Sequence, residues 1–271
     1  MKTVRTLSKI NSPSFLVLLF ITFSLLACQE KQKKKVAEDV VEEVENADGF
    51  ESIFDGETLS GWEGDTVYWR VEDGNLVGEI TPETLLKKNT FVIWSGGEPA
   101  DFELKTEFRI SKGGNSGINY RSELLDTVPF ALRGYQADID GQNRYTGQNY
   151  EERKRTTLAY RGEKAEISSQ ENAEAEGSLR ANVKNNAWQS RKVLESLGNS
   201  DSLKMKIHTG WNEAHLVVTG NNMKHYINGI LMSEVIDNDS INREPSGKLG
   251  MQVHVGPPMK VEYRNIRLKE L

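Results

Sequence analysis

The sequence is poor in the residues that most often carry chemistry. It has one cysteine, Cys28, and four histidines among 271 residues. A single thiol excludes an internal disulfide and leaves no thiolate cluster for a metal. No G-x-S-x-G elbow, P-loop, dinucleotide fingerprint or HExxH pair is present, so the usual nucleophile, phosphate and zinc signatures are missing. Positive charge is also short. Asp and Glu number 40 against 34 Lys and Arg, a formal charge of −6. A nucleic-acid partner needs a basic footprint, and none is available. The apolar run Phe15–Ala27 falls short of the roughly 20 residues of a membrane span.

That run nevertheless has a meaning. Lys2, Arg5 and Lys9 precede it, and it ends in "LLAC". Residues 1–27 read as a lipoprotein signal peptide with Cys28 as the lipidated residue. A plain secretory signal with an incidental cysteine, or a retained anchor helix, are the alternatives. The lipoprotein reading implies an exported, cell-envelope protein, in the periplasm or at the cell surface, held to a membrane by acyl groups on Cys28. Cleavage removes three positive charges and no acid, which moves the formal charge from −6 to −9. Residues 28–48 run from lysine-rich to acid-rich without an aromatic residue and read as a flexible charged linker. Residues 49–271 remain as the folded domain.

This domain reads as short strands between turn signals. "YWRVEDGNLVGEI" is a hairpin bending at Asp73-Gly74. In "DFELKTEFRI", Phe102, Leu104, Thr106, Phe108 and Ile110 share one face. "INYRS" sends Ile118 and Tyr120 inward, Asn119 and Arg121 outward. "TTLAYRG" places Leu158 and Tyr160 on an apolar side, and "SLKMKIHT" does the same for Leu203, Met205 and Ile207. "HLVVTGNNMKHYINGILMSEVI" is a hairpin series with Asn-Asn and Asn-Gly turns. Residues 163–201 read as an insertion, with "AWQSRKVLESL" as a short amphipathic helix. The expected fold is all-β, a two-sheet antiparallel sandwich with a short helical or irregular insertion.

The strand "YQADID" sets the functional question. Tyr135, Ala137 and Ile139 point one way, and Gln136, Asp138 and Asp140 the other. An amide and two carboxylates on one face suit either a solvated surface or a polar cleft. Other strands carry similar faces: Glu107 with Arg109, Asn119 with Arg121, and Gln252 with His254.

Four stretches carry a resemblance: "FDGETLSGW" at 54–62, "DFELKTEFRISKGGNSGINYR" at 101–121, "HYINGILM" at 225–232 and "GKLGMQVHVGPPMKVEYRNIRLKEL" at 247–271. Together they resemble the 3-keto-disaccharide hydrolases, also described as 3-keto-glucoside 1,2-lyases and 3-keto-2-hydroxy-glucal hydratases. "RYTGQNYEERKRTTLAYRGE" resembles only a subset of that family. The resemblance implies a jelly-roll sandwich like concanavalin-type lectins and glucanases, and a carbohydrate or glycoside substrate. A ketone at sugar C3 acidifies the C2–H, so a base can form an enolate, the C1–O bond can break, and water can add back. This chemistry needs a base, an acid and enolate stabilisation. The expected catalytic residues are Asp138 or His254 as base, Glu107 as a second acid/base, and Arg121 as anchor of the enolate or substrate. Asn119, Gln136, Asp140 and Gln252 are expected to bind sugar hydroxyls, with Tyr150 and Arg161 on the rim. No particular cofactor is implied, and the question of a divalent metal on Asp138, Asp140, His254 and Glu107 stays open. A non-catalytic carbohydrate-binding sandwich is another. A third is an ordinary glycoside hydrolase using two carboxylates such as Glu107 and Asp138.

Overall fold

The computed structural model describes residues 48–169 and 190–271. The leader, Cys28 and most of the linker lie outside them. Among the described residues seventeen strands, numbered in chain order, form two sheets. The larger has the order β12 (Arg191–Ser196), β11 (Glu163–Ile167), β15 (Ile230–Asp237), β14 (Asn222–Ile227), β13 (Asn212–Thr219), β6 (Phe102–Ile110), β17 (Met259–Glu270), β4 (Asn75–Ile80) and β3 (Trp69–Glu72). A short β1 (Glu51–Ser52) also pairs with β17. The smaller sheet has the order β10 (Thr156–Ala159), β9 (Asn149–Glu152), β8 (Leu132–Asp140), β7 (Asn115–Leu124), β16 (Lys248–Val253), β5 (Thr90–Trp94) and β2 (Trp62–Gly64). Among the described strands every pairing is antiparallel except β11 with β15. This is the two-sheet sandwich expected from the alternation.

Period-two alternation builds the core. In β6, Phe102, Leu104, Thr106 and Phe108 are buried while their neighbours are not. Tyr120 of β7 stacks on Tyr135 of β8, with ring centroids 5.6 Å apart and planes at 14°. Ile118, Ala137, Ile139, Met251 and Val253 join them from the smaller sheet. Leu104, Phe108, Leu216 and Val218 meet them from the larger. The opposite faces of β8 and β16 therefore point away from the core, and these carry Gln136, Asp138 and Gln252.

The hairpin at Asp73-Gly74 forms as expected, with both residues left-handed (φ 52° and 77°). Three other expectations fail. Residues 191–196 form strand β12, not a helix, and pair with β11. Val193 and Leu194 stay exposed, so the apolar stripe has nothing to bury against and the backbone ladder decides the conformation. The proposed insertion thus begins as part of the larger sheet. "SLKMKIHT" is not a strand, because Ser200–Lys204 forms helix α1. Asn199 caps it by accepting from the Asp201 and Ser202 N–H groups. Met205, expected to be inward, is 78% exposed. The turn between β13 and β14 falls on Gly220-Asn221, one residue earlier than expected.

Candidate active site

The polar face of "YQADID" is not a solvated surface. Gln136 is 3% exposed and Asp138 7%. Their polar atoms form a chain. Gln252 Nε2 donates to Gln136 Oε1 at 3.0 Å. Gln136 Nε2 donates to Asp138 Oδ1 at 2.6 Å, and Gln148 Nε2 to Asp138 Oδ2, also at 2.6 Å. Gly117 pairs with Asp138 in register. A Cβ there would lie 2.5 Å from Gln136 Cγ, so the glycine makes the room in which Gln136 lies across β7. Burial pushes the Asp138 carboxyl up to about 7, against the two amide donors that favour its ionised form.

The face is strongly concave. Asn89, just before β5, donates to Glu152 Oε1 of β9 at 3.1 Å. Four strand steps separate β5 from β9, about 19 Å on a flat sheet. Only curling of the sheet lets these side chains meet. Burial raises the Glu152 carboxyl, although the Asn89 bond, Arg153 and His254 pull the other way. His254 Nδ1 lies 2.6 Å from the Val255 carbonyl. That oxygen only accepts, so Nδ1 carries the hydrogen and neutral His254 keeps its lone pair on Nε2. Asn115, Gln136, Asp138, Tyr145, Gln148, Tyr150, Glu152, Thr157, Tyr160 and His254 line one cavity of about 380 Å³. Burial raises the Tyr150 hydroxyl to about 12, keeping it a neutral donor.

Of the residues expected at the cleft, Gln136, Asp138, Tyr150 and His254 meet there. Gln252 stands behind them as the support of Gln136. The others lie elsewhere. Glu107 is on the larger sheet, where Arg264 Nε donates to it at 2.7 Å and Asn265 at 3.0 Å. It cannot pair with Asp138 as two catalytic carboxylates. Arg121 is left-handed (φ 43°) at a register shift in β7. That shift turns its guanidinium to the Ala100 and Gly220 carbonyls and to Asp101, at 2.7, 2.6 and 2.9 Å. Asn119 pairs with Gln136 in register, but it is buried and gives its amide to Ser122. Asp140 accepts the N–H groups of Gln142, Arg144, Tyr145 and Thr146, so its oxygens hold a loop. Arg161 donates to the carbonyls of Asn143, Thr146 and Ser200. With Glu107 and Asp140 elsewhere, the suggested metal ligands do not converge. Among the described residues no group of three His, Cys, Asp or Glu side chains is placed to hold a metal.

Sequence reasoning passed over Asn115, Tyr145, Gln148, Glu152 and Thr157, and it placed Tyr160 with Leu158 on an apolar side, whereas β10 ends at Ala159 and Tyr160 stands exposed at the cavity. Glu152 had a signal: in "NYEER", Tyr150 and Glu152 fall on one strand face by the same period-two rule. The loop residues Tyr145 and Gln148 had none.

The fold and the cavity define an all-β sandwich with a buried acidic site on the outer face of its smaller sheet. The profile of the 3-keto-alpha-glucoside-1,2-lyase-like domain matches residues 49–269, and the chain belongs to that family. A 3-keto-disaccharide hydrolase of Bacteroides thetaiotaomicron is 37% identical over 97 residues, covering 29% of this chain and 29% of that protein. The match thus spans less than a third of that relative. Two solved structures of candidate glycosyl hydrolases from Parabacteroides distasonis share the fold. One has a TM-score of 0.50 at 18% identity, covering 84% of this chain and 97% of that one. The other has a TM-score of 0.50 at 15% identity, covering 82% and 99%.

Proposed function

We propose that this protein cleaves the glycosidic bond of 3-keto-glycosides by C2 proton abstraction, elimination and hydration. Membership of the family supports the substrate class. One observation carries the mechanism: Asp138, a buried carboxyl titrating near neutrality, shares a cavity with a histidine whose free lone pair is on Nε2. A group with a pKa near the working pH is suited to both giving and taking a proton.

In this reading His254 Nε2 takes the C2 proton. Protonated Asp138 gives its proton to the C1 oxygen as the C1–O bond breaks. Glu152 lines the same cavity, and the charge of His254 favours its carboxylate form. Arg121 is absent from the cavity, so the enolate oxygen would be held by neutral donors such as the Tyr150 hydroxyl. For hydration, water adds to C1, Asp138 takes its proton back, and His254 returns a proton to C2. The sum is hydrolysis. The protein would act outside the cytosol, lipid-anchored at Cys28. Replacing Cys28 with serine would then move it from the membrane to the soluble fraction.

The deciding measurement is aglycone release by the purified protein from a 3-keto-glucoside and from the unoxidised glucoside. Release from the keto-sugar alone is expected. Turnover of the unoxidised sugar would favour an ordinary glycoside hydrolase. Saturable glycan binding with no product from either would leave a binding sandwich.

A further inference from the structure

Two aromatic side chains stand out at the cavity. Tyr145 is 44% exposed and Tyr160 42%, yet both line it. They come from different connections, the β8–β9 loop and the segment after β10, and each is built into place. Asp140 Oδ1 accepts the Tyr145 N–H at 2.8 Å and the Thr146 N–H at 3.0 Å. Arg161 Nη1 binds the carbonyls on either side, Asn143 at 3.1 Å and Thr146 at 2.8 Å. A buried carboxylate and a buried guanidinium therefore fix one short loop whose exposed product is a phenol ring. Tyr160 is held equally firmly. Its N–H donates to Glu163 Oε2 at 2.8 Å, Arg191 pairs with that carboxylate, and the Arg191 guanidinium lies over the Tyr160 ring at 5.0 Å.

The cavity is thus graded. Its buried part offers amides and carboxyls, which suit a ketone and ring hydroxyls. Its exposed part offers rigid aromatic surface, which suits the apolar face of another ring. We infer that Tyr145 and Tyr160 form the binding site for the leaving half of the substrate and select a ring-bearing leaving group, aryl or glycosyl, over a small alkyl one. The inference rests on the proposed reaction for which half leaves. Asp140 and Arg161 act through Tyr145 and are positioning residues.

The test compares 3-keto-glucosides with phenyl, glucosyl and methyl leaving groups in the wild type and in the Tyr145→Ala, Tyr160→Ala and corresponding Phe variants. The ratio of kcat/KM for phenyl over methyl is expected to fall about five- to tenfold in each Ala variant and to persist in the Phe variants, which keep the ring. The glucosyl arm tells whether a sugar ring is accepted as well as an aryl one. A ratio unchanged in both Ala variants, or lost equally in the Phe variants, overturns the inference. Calorimetric binding of unoxidised phenyl and methyl glucosides to the same variants reads the rim without turnover. Absence of turnover with a preserved phenyl preference would defeat the reaction but not the rim, and the converse result would defeat only the rim.

Discussion

Asp138 shows how much one residue's meaning depends on depth. Its strand face was legible in the sequence, and its pKa was not. Water on that face would have left an ordinary carboxylate; a 7% exposed position raises it to about 7. Two expectations follow from that shift. The Asp138→Asn variant should lose at least about a hundredfold in kcat on a 3-keto-glucoside. Stability should change with pH in a defined direction. The unfolded carboxyl titrates near 3.8, so between about 4 and 7 the folded form holds a proton that the unfolded chain has lost. Asp138 therefore favours folding at pH 5, and the gain disappears as pH rises through 7, a difference of about 2–3 kcal/mol. The Tm of Asp138→Asn minus that of the wild type should be more positive at pH 8 than at pH 5. A difference that does not change with pH would place Asp138 in water.

At the scale of elements, the β9–β10 hairpin carries the site and also the most concentrated buried charge near it. Arg155 is fully enclosed. It binds Glu151 at 2.6 and 2.9 Å, Asp237 at 3.0 and 2.7 Å and Asp239 at 3.2 Å. Thr156, a β-branched residue, is left-handed beside it (φ 70°), a strain of about 1–3 kcal/mol that its surroundings must hold. Glu151 faces this cluster and Glu152 faces the cavity, so one hairpin joins the two. The Arg155→Met variant leaves three carboxylates buried without their cation. It should lose about 3–5 kcal/mol in urea unfolding. Little change would mean that the acids take up protons or move to solvent. "YEERKRTT" gave no hint of this, since a run of mixed charge ordinarily lies on a surface. The partners Asp237 and Asp239 arrive from β15 and the segment after it, far along the chain.

Across the whole molecule, neither Arg121 nor Glu107 takes the role its sequence neighbourhood suggested. Arg121 leaves the smaller sheet to bind the segment before β6 and the β13–β14 turn, both belonging to the larger sheet, and so clasps the sandwich. Its replacement by alanine should cost about 3 kcal/mol of stability, while the kcat of the folded protein stays near wild type. Glu107 sits in a half-exposed pair with Arg264. Glu107→Gln should change stability by less than about 1 kcal/mol and leave kcat/KM within about twofold. A large loss of kcat in either variant, with the fold intact, would move the active site away from the Asp138 cavity.

The sequence by itself determined most of the strands and the face most side chains take within them, because an extended chain alternates regardless of its surroundings. It marked Gln136, Asp138, Gln252 and His254 as facing away from the apolar half, and placed most hairpins. Only the tertiary structure decided which polar faces share a space. Glu107 and Asp138 alternate equally well, but pairing over long stretches of chain put them on different sheets. A bulge turned Arg121 out of its expected line, and the curl of one sheet brought Asn89 to Glu152. Those outcomes depend on long-range packing and register, which local alternation does not encode.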